Sequence, residues 1–276
     1  MPIDPANEAF ILKLLEDSDS QAVTQVLATI LEDRDEAQSF ISRHQDDDSP
    51  LVRRHLQVLS SILRMEERRN DFISLAQNGH ATLWDNLLHL TLALDPAWSL
   101  DYLDDLYARY RDEFFEDIPN GETLTTSRMV QQLRKAKIEP ASLGNSFRVG
   151  CHLLPYVLDH SSEPQQLLQC ALLQHLGQER GWRSCIVVGN GCCMLLAGEG
   201  VGLVPSENWI ITPPHQMPQV RRCTDRELTA LFMSQLYTAS VVEHHLECIY
   251  VTSHLLAQWH HCNVQEFAFP IGDIRS

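Results

Sequence analysis

The sequence predicts an α+β fold that is mainly helical, and three observations predict it. Apolar residues recur at helical spacing through the first 118 residues. After Arg183 the texture changes to short β-type runs joined by glycine turns, and after Pro213-Pro214 helical spacing returns. The expected layout has four parts: a helical N-terminal region over 1–118, a connecting loop and helix over 119–145, a small core with an antiparallel sheet over 146–215, and a C-terminal helix pair and tail over 216–276.

Each element has a local reason. Asp4-Pro5 offers an N-cap and a proline at the first helical position, followed by Phe10, Ile11, Leu14 and Leu15. A second helix begins at Ser20 and buries Val23, Val26, Leu27, Ile30 and Leu31, with Gln21, Thr24 and Gln25 towards the other side. Asp46-Asp47-Asp48-Ser49-Pro50 then punctuates the chain, and Leu51 to Arg68 starts a long helix bearing Leu56, Leu59, Ile62 and Leu63. Short helices separated by tight polar turns suggest HEAT-like stacked pairs, although no fixed-period motif is legible.

Helices follow near 82–95 and 98–115, with Asp95-Pro96 as the break. Pro119, Asn120 and Gly121 mark an exposed loop, Ser127 to Lys137 is a further helix, and Glu139-Pro140 with Gly144 is the next break. Ser184 to Val188 reads as a strand, Gly189-Asn190-Gly191 as a turn, Cys192 to Ala197 as a second strand, Gly198-Glu199-Gly200 as a second turn, and Val201 to Val204 as a third strand. Two helices, roughly 224–237 and 240–258, complete the expectation.

Composition narrows the function. Twenty-one Lys and Arg against 37 Asp and Glu give a formal net charge of -16, which repels phosphate backbones and anionic lipid, so neither nucleic acid nor membrane is an expected partner. No apolar run reaches the ~18–20 residues that cross a bilayer, and Met1-Pro2-Ile3-Asp4-Pro5 lacks the basic and apolar segments of a secretory signal. The eight cysteines therefore read as reduced thiols in a cytoplasmic protein. No cofactor is expected. The expected partner is another protein, and no pattern in the sequence reports an oligomeric state.

A helix ending near Gly181 and followed by antiparallel strands is the skeleton of a papain-like or transglutaminase-like core. Asn145-Ser146, Leu153-Leu154-Pro155-Tyr156-Val157-Leu158, Pro164-Gln165-Gln166-Leu167, Leu176-Gly177, Gly181-Trp182, Gly191-Cys192-Cys193-Met194-Leu195 and Val204-Pro205-Ser206 follow one another along it. Together they resemble the signature of the bacterial SirB-type, transglutaminase-like family. Leu83-Trp84 to Tyr107 is similar to that family's helical N-terminal region, and Asp225 to Leu256 to its closing helix pair.

The resemblance implies a Cys nucleophile at a helix N-terminus, a His on the next strand and a carboxylate on the strand after it. Carried over position by position, those roles fall on Gln166, Cys192 and Val204, none of which fits its role. The degenerate triad points to a pseudoenzyme that works by binding or scaffolding.

Two alternatives stay open in the sequence. A thiol-dependent hydrolase or transferase could use Cys170, one turn beyond Gln166, with His160 as base, or Cys192. His175 lies ~140° round the helix from Cys170 and points elsewhere. Cys192 and Cys193 are strand neighbours that face opposite sides, so one is core and the other lies in the vestigial cleft. A metal-binding regulator would draw on His244, Cys248 and His254, with His260-His261-Cys262 beyond them; His244 and Cys248 stand at i, i+4 on an expected helix. The acidic groups Asp46-Asp47-Asp48, Asp101 with Asp104-Asp105, and Glu113 with Glu116-Asp117 read as caps and solvated faces, or as docking points for a basic partner. A polar pocket around Gln166, Cys192 and Val204 would favour ligand binding there, whereas close packing would move attention to the outer helical surfaces.

Overall fold

The computed structural model describes residues 5–17, 19–119, 121–135, 143–189, 191–205, 209–216 and 219–264. The chain divides into two compact units, Met1–Asn70 and Asp71–Ser276.

The first unit contains α1 (Pro5–Leu15), α2 (Ser20–Leu31), α3 (Arg34–His44) and most of α4 (Pro50–Gln77). The starts of α2 and α3 are set by acidic caps. Asp19 accepts from the amides of Gln21 and Ala22, and Asp33 from that of Glu36, so donors that a helix leaves unpaired are satisfied. Leu15, Val23, Ile30, Phe40, Leu56 and Leu59 meet in a shared apolar core. At the surface, Arg43 joins Glu8 on α1 to Glu36 on α3. The helix α3 is an element that the sequence reading did not name, because only Ala37 and Phe40 of its eleven residues are buried.

The second unit begins in the last turns of α4, whose Phe72 and Ala76 join its core. It continues through α5 (Leu83–Leu94), α6 (Leu100–Phe114), α7 (Thr126–Lys135), the short α8 (Leu154–Leu158), α9 (Gln166–Glu179), a sheet, α10 (Asp225–Val242) and α11 (Leu246–His260). A capping box between Thr82 and Asp85 opens α5. This helix is buried over most of its circumference and packs against α6, α8, α9, α10 and α11. A helix apolar all round has to be central. For that reason α5 and α6 belong with the sheet, and the compact units divide at 70/71, not at the expected boundary of 118.

The sheet has the order β4-β3-β2-β1-β5 and is antiparallel throughout. The expected meander is present as β1 (Ser184–Gly189), β2 (Cys192–Ala197) and β3 (Gly202–Val204), to which β4 (Ile210–Thr212) and β5 (Arg221–Arg222) add short edges. Residue Asn190 of the first expected turn lies outside the described residues. Alternation splits the side chains. Ile186, Cys193, Leu195 and Leu203 join the large core with α9, whereas Val187, Met194 and Val204 form a separate small cluster.

The approach to the sheet is fixed by the turn after α9. Trp182 donates its amide to the carbonyl of Gly177 at 2.8 Å and its indole N–H to Thr126 Oγ1 at 3.1 Å. A Cβ on Gly177 would lie 2.3 Å from Trp182 Cε3, so a side chain at this position is excluded by the ring. Of the C-terminal pair, α10 runs longer than the expected 224–237 and α11 is shorter than the expected 240–258, because the turn between them falls at 243–245. Among the described residues, no helix is long and apolar enough to cross a membrane.

Candidate functional site

The N-terminus of α9 is the place where the resemblance puts a nucleophile, and it is built from glutamines. Gln165 is the N-cap: its Oε1 accepts the amide of Leu167 at 2.6 Å, and its own amide donates to the Cys151 carbonyl at 2.9 Å. Gln166 reaches across to the sheet, where its Oε1 accepts the backbone N–H of Cys193 at 3.0 Å. The side chain at the nucleophile position is thus a bridge between helix and strand.

One turn on, Cys170 is fully buried at 0% exposure within the large core. Burial first, and the nearby Cys193 second, hold its thiol well above the ordinary range. Cys193 is buried in the same cluster, and desolvation pushes its thiol up to about 12. Both sulfurs are protonated at neutral pH and shut off from solvent, the opposite of a reactive cysteine's surroundings.

The three positions onto which the resemblance carries a triad are not gathered into one cleft. Gln166 touches β2 at the Cys193 amide. Val204 packs with Val187 and Met194, apart from the core that holds α9. Cys192, half-buried, has the strand parity of Met194 and so shares that other face. Of the vicinal pair, Cys193 is the core thiol.

Cys170 and His160 are likewise kept apart. His160 is an exposed residue in the left-handed backbone region, with its ring stacked on Tyr110 and its Nε2 3.2 Å from Glu113 Oε2. His175 turns away from Cys170, as its helical angle requires: its ring stacks on Trp84 at 4.7 Å and also meets Tyr107. Burial makes it a weaker base than an ordinary histidine.

The C-terminal His and Cys residues are also dispersed. The expected helical pairing of His244 with Cys248 fails, because His244 sits in the α10–α11 turn with a φ of 55° and α11 starts only at Leu246. The N-cap of α11 is His245, whose Nδ1 accepts the amide of Cys248 at 3.3 Å. Cys248 is buried, which pushes its thiol up to about 11, and the His254 ring lies against Tyr250 at 4.3 Å. Among the described residues, no three His, Cys, Asp or Glu side chains are grouped so as to hold a metal ion.

A buried histidine that the sequence reading passed over stands beside the entrance to α9. His152 donates from Nδ1 to the Arg148 carbonyl at 2.9 Å and packs edge-on against Phe232. Its Nε2 is buried without a hydrogen-bond partner among the described residues, and desolvation lowers its basicity to about 4. The signal in the sequence was a lone His between Val149-Gly150-Cys151 and Leu153-Leu154, an apolar setting for a titratable ring.

A polar cavity of about 570 Å³ lies at the C-terminal ends of α6 and α9, lined by Arg111, Glu122, Thr123, Glu179 and Arg180 among others. None of Gln166, Cys192 and Val204 lines it. Comparison with protein families, with curated proteins and with solved structures finds no match to this chain.

Proposed function

We propose that this chain is a non-catalytic binding or scaffolding protein built on a degenerate transglutaminase-like core of the SirB type, with another protein as its partner. The observation that carries this reading is the hydrogen bond from the Cys193 amide to Gln166 Oε1. At the position where acyl transfer needs a free thiolate, the side chain is committed to holding helix and strand together.

The neighbouring chemistry supports it. Loss of a nucleophile or base from a comparable triad lowers the rate by about 10⁴–10⁶. A relocated thiol needs exposure and a depressed pKa, and Cys170 has neither. With the Gln166 side chain already bonded to the strand, the places left for recognition are the outer helical surfaces and the polar cavity at the ends of α6 and α9. All eight cysteines are unpaired, which fits a reducing compartment such as the cytoplasm.

Two measurements on the purified chain test the proposal. Iodoacetamide labelling at mildly acidic pH, resolved by mass spectrometry, is expected to be slow at both Cys170 and Cys192. Turnover of activated ester and amide substrates is expected to stay at the background rate. A fast-labelling cysteine whose replacement by serine abolishes turnover would overturn the proposal.

A further inference from the structure

In the first unit, α1 and α2 leave an open apolar groove of about 410 Å³. Ile11 and Leu14 form one wall, and Ala22, Val26 and Ile30 line the other together with the polar Gln25 and Thr29. On α2 these positions follow i, i+4 and i+8, so the stripe runs two turns, or about 12 Å. Phe10, four residues before Leu14 and 61% exposed, extends the apolar wall on α1.

The charges around the groove are mainly acidic, with Lys13 on α1, Arg43 paired to Glu8, and Arg34, which follows Asp33, paired to Glu67. No charged residue occurs within α2 itself. Exposed Glu16, Asp17 and Asp19 stand before its first turn, and exposed Glu32 follows its last. Between Asp4 and Asp33 the sequence carries seven carboxylates and a single cationic side chain, Lys13. An apolar, uncharged middle between two acidic ends is complementary to a helix with the reverse arrangement.

We propose that this groove receives an amphipathic helix from a protein partner, one with a short apolar stripe and lysine or arginine residues at both ends. The proposal names a partner class for the binding role above and rests on that reading. Interdigitation of apolar side chains in the groove supplies affinity, and the terminal cations set register against Glu16, Asp17 and Asp19 at one end and Glu32 at the other.

The test uses the full chain and a fluorescent synthetic peptide of about 18 residues, five helical turns. The peptide carries leucines along one helical face, lysines at both ends and glutamines elsewhere. Fluorescence anisotropy at near-physiological salt is expected to show saturable binding. A scrambled peptide of the same composition and a peptide with glutamates at its ends should each bind about tenfold more weakly or worse.

Val26→Asp should weaken binding by at least about tenfold, since it places a carboxylate on the apolar floor. Thr29→Lys, at an exposed lining position that leaves the core intact, should do the same to the lysine-ended peptide and improve binding of the glutamate-ended one. Equal binding of ordered and scrambled peptides would reduce the effect to bulk charge attraction and overturn the proposal. So would a self-association, seen by sedimentation, that Val26→Asp abolishes while the peptide fails to bind, because the occupant is then a second copy. Cysteine-dependent turnover would remove the non-catalytic reading and leave the peptide result standing, so the two failures are distinguishable.

Discussion

Gln166 is the residue at which the proposed degenerate triad can be tested most directly. If the only defect were the missing thiol, Gln166→Cys would restore some acyl transfer. Cys192 and Val204, onto which the resemblance carries the other two roles, stand at strand positions on the opposite face of the sheet from α9. The nearby His152 imidazole is buried, weakly basic and bonded to the Arg148 carbonyl, so it is not set up as a base for a new thiol. Gln166→Cys is expected to give no burst with an activated thioester, while lowering stability by about 1–3 kcal/mol because the Cys193 amide loses its acceptor. A burst that disappears on blocking the new thiol would show that the site is still organised for catalysis. His152 gives a second prediction, with a definite sign. Its folded pKa of about 4 lies below the unfolded value of 6.5, so between them the unfolded chain binds more protons. Stability should therefore rise with pH from 4 to 6.5 and level off above, a contribution of at most about 3 kcal/mol from this ring. Urea unfolding of His152→Gln against the parent chain should show that acid-side slope reduced, and an unchanged slope would place the titration elsewhere.

Among the elements, those joining a broad apolar stripe to a clear break or cap were legible in the sequence; α3, capped by Asp33 but burying only Ala37 and Phe40, and the edge strands were not. The expected 82–95 and 98–115 fall on α5 and α6 because Thr82 and Ser99 cap them and Asp95-Pro96 separates them. The meander was legible because Gly191 and Gly200 adopt positive φ at its turns. By contrast β4 and β5 are two or three residues long and largely exposed, too short to carry an alternation, and they exist because β3 and β1 offer them an edge. The site was legible only as a set of residue types. Which sheet face each one took depended on register, and a one-residue difference between Cys192 and Cys193 decides whether a thiol meets α9. Caps permit a prediction at this scale. Thr224 and Glu227 form a capping box at the start of α10, and Thr224→Ala should cost about 1 kcal/mol in chemical denaturation, with the helical circular dichroism signal unchanged at low denaturant. A loss near zero would mean that α10 is held by its packing alone.

For the molecule as a whole, the physical fact to reckon with is that the buried apolar residues fall into separate clusters on either side of residue 70. Phe40 belongs to the core of the first unit, and Leu195, wholly buried between α9 and the sheet, to that of the second. A chain whose units have separate cores does not have to unfold in one step. Calorimetry is expected to resolve two transitions. Phe40→Ala removes a ring from a site with no exposure and should lower the first unit's stability by about 3–5 kcal/mol, displacing one transition only. Leu195→Ala should cost about 2–5 kcal/mol and displace the other. The peptide-binding groove on α1 and α2 lies in the first unit, so Phe40→Ala should also weaken peptide binding at temperatures above its own transition while Leu195→Ala leaves it intact there. If both substitutions move a single shared transition by comparable amounts, the continuous helix α4 couples the two cores into one cooperative unit, and the independence argued from their separation is wrong.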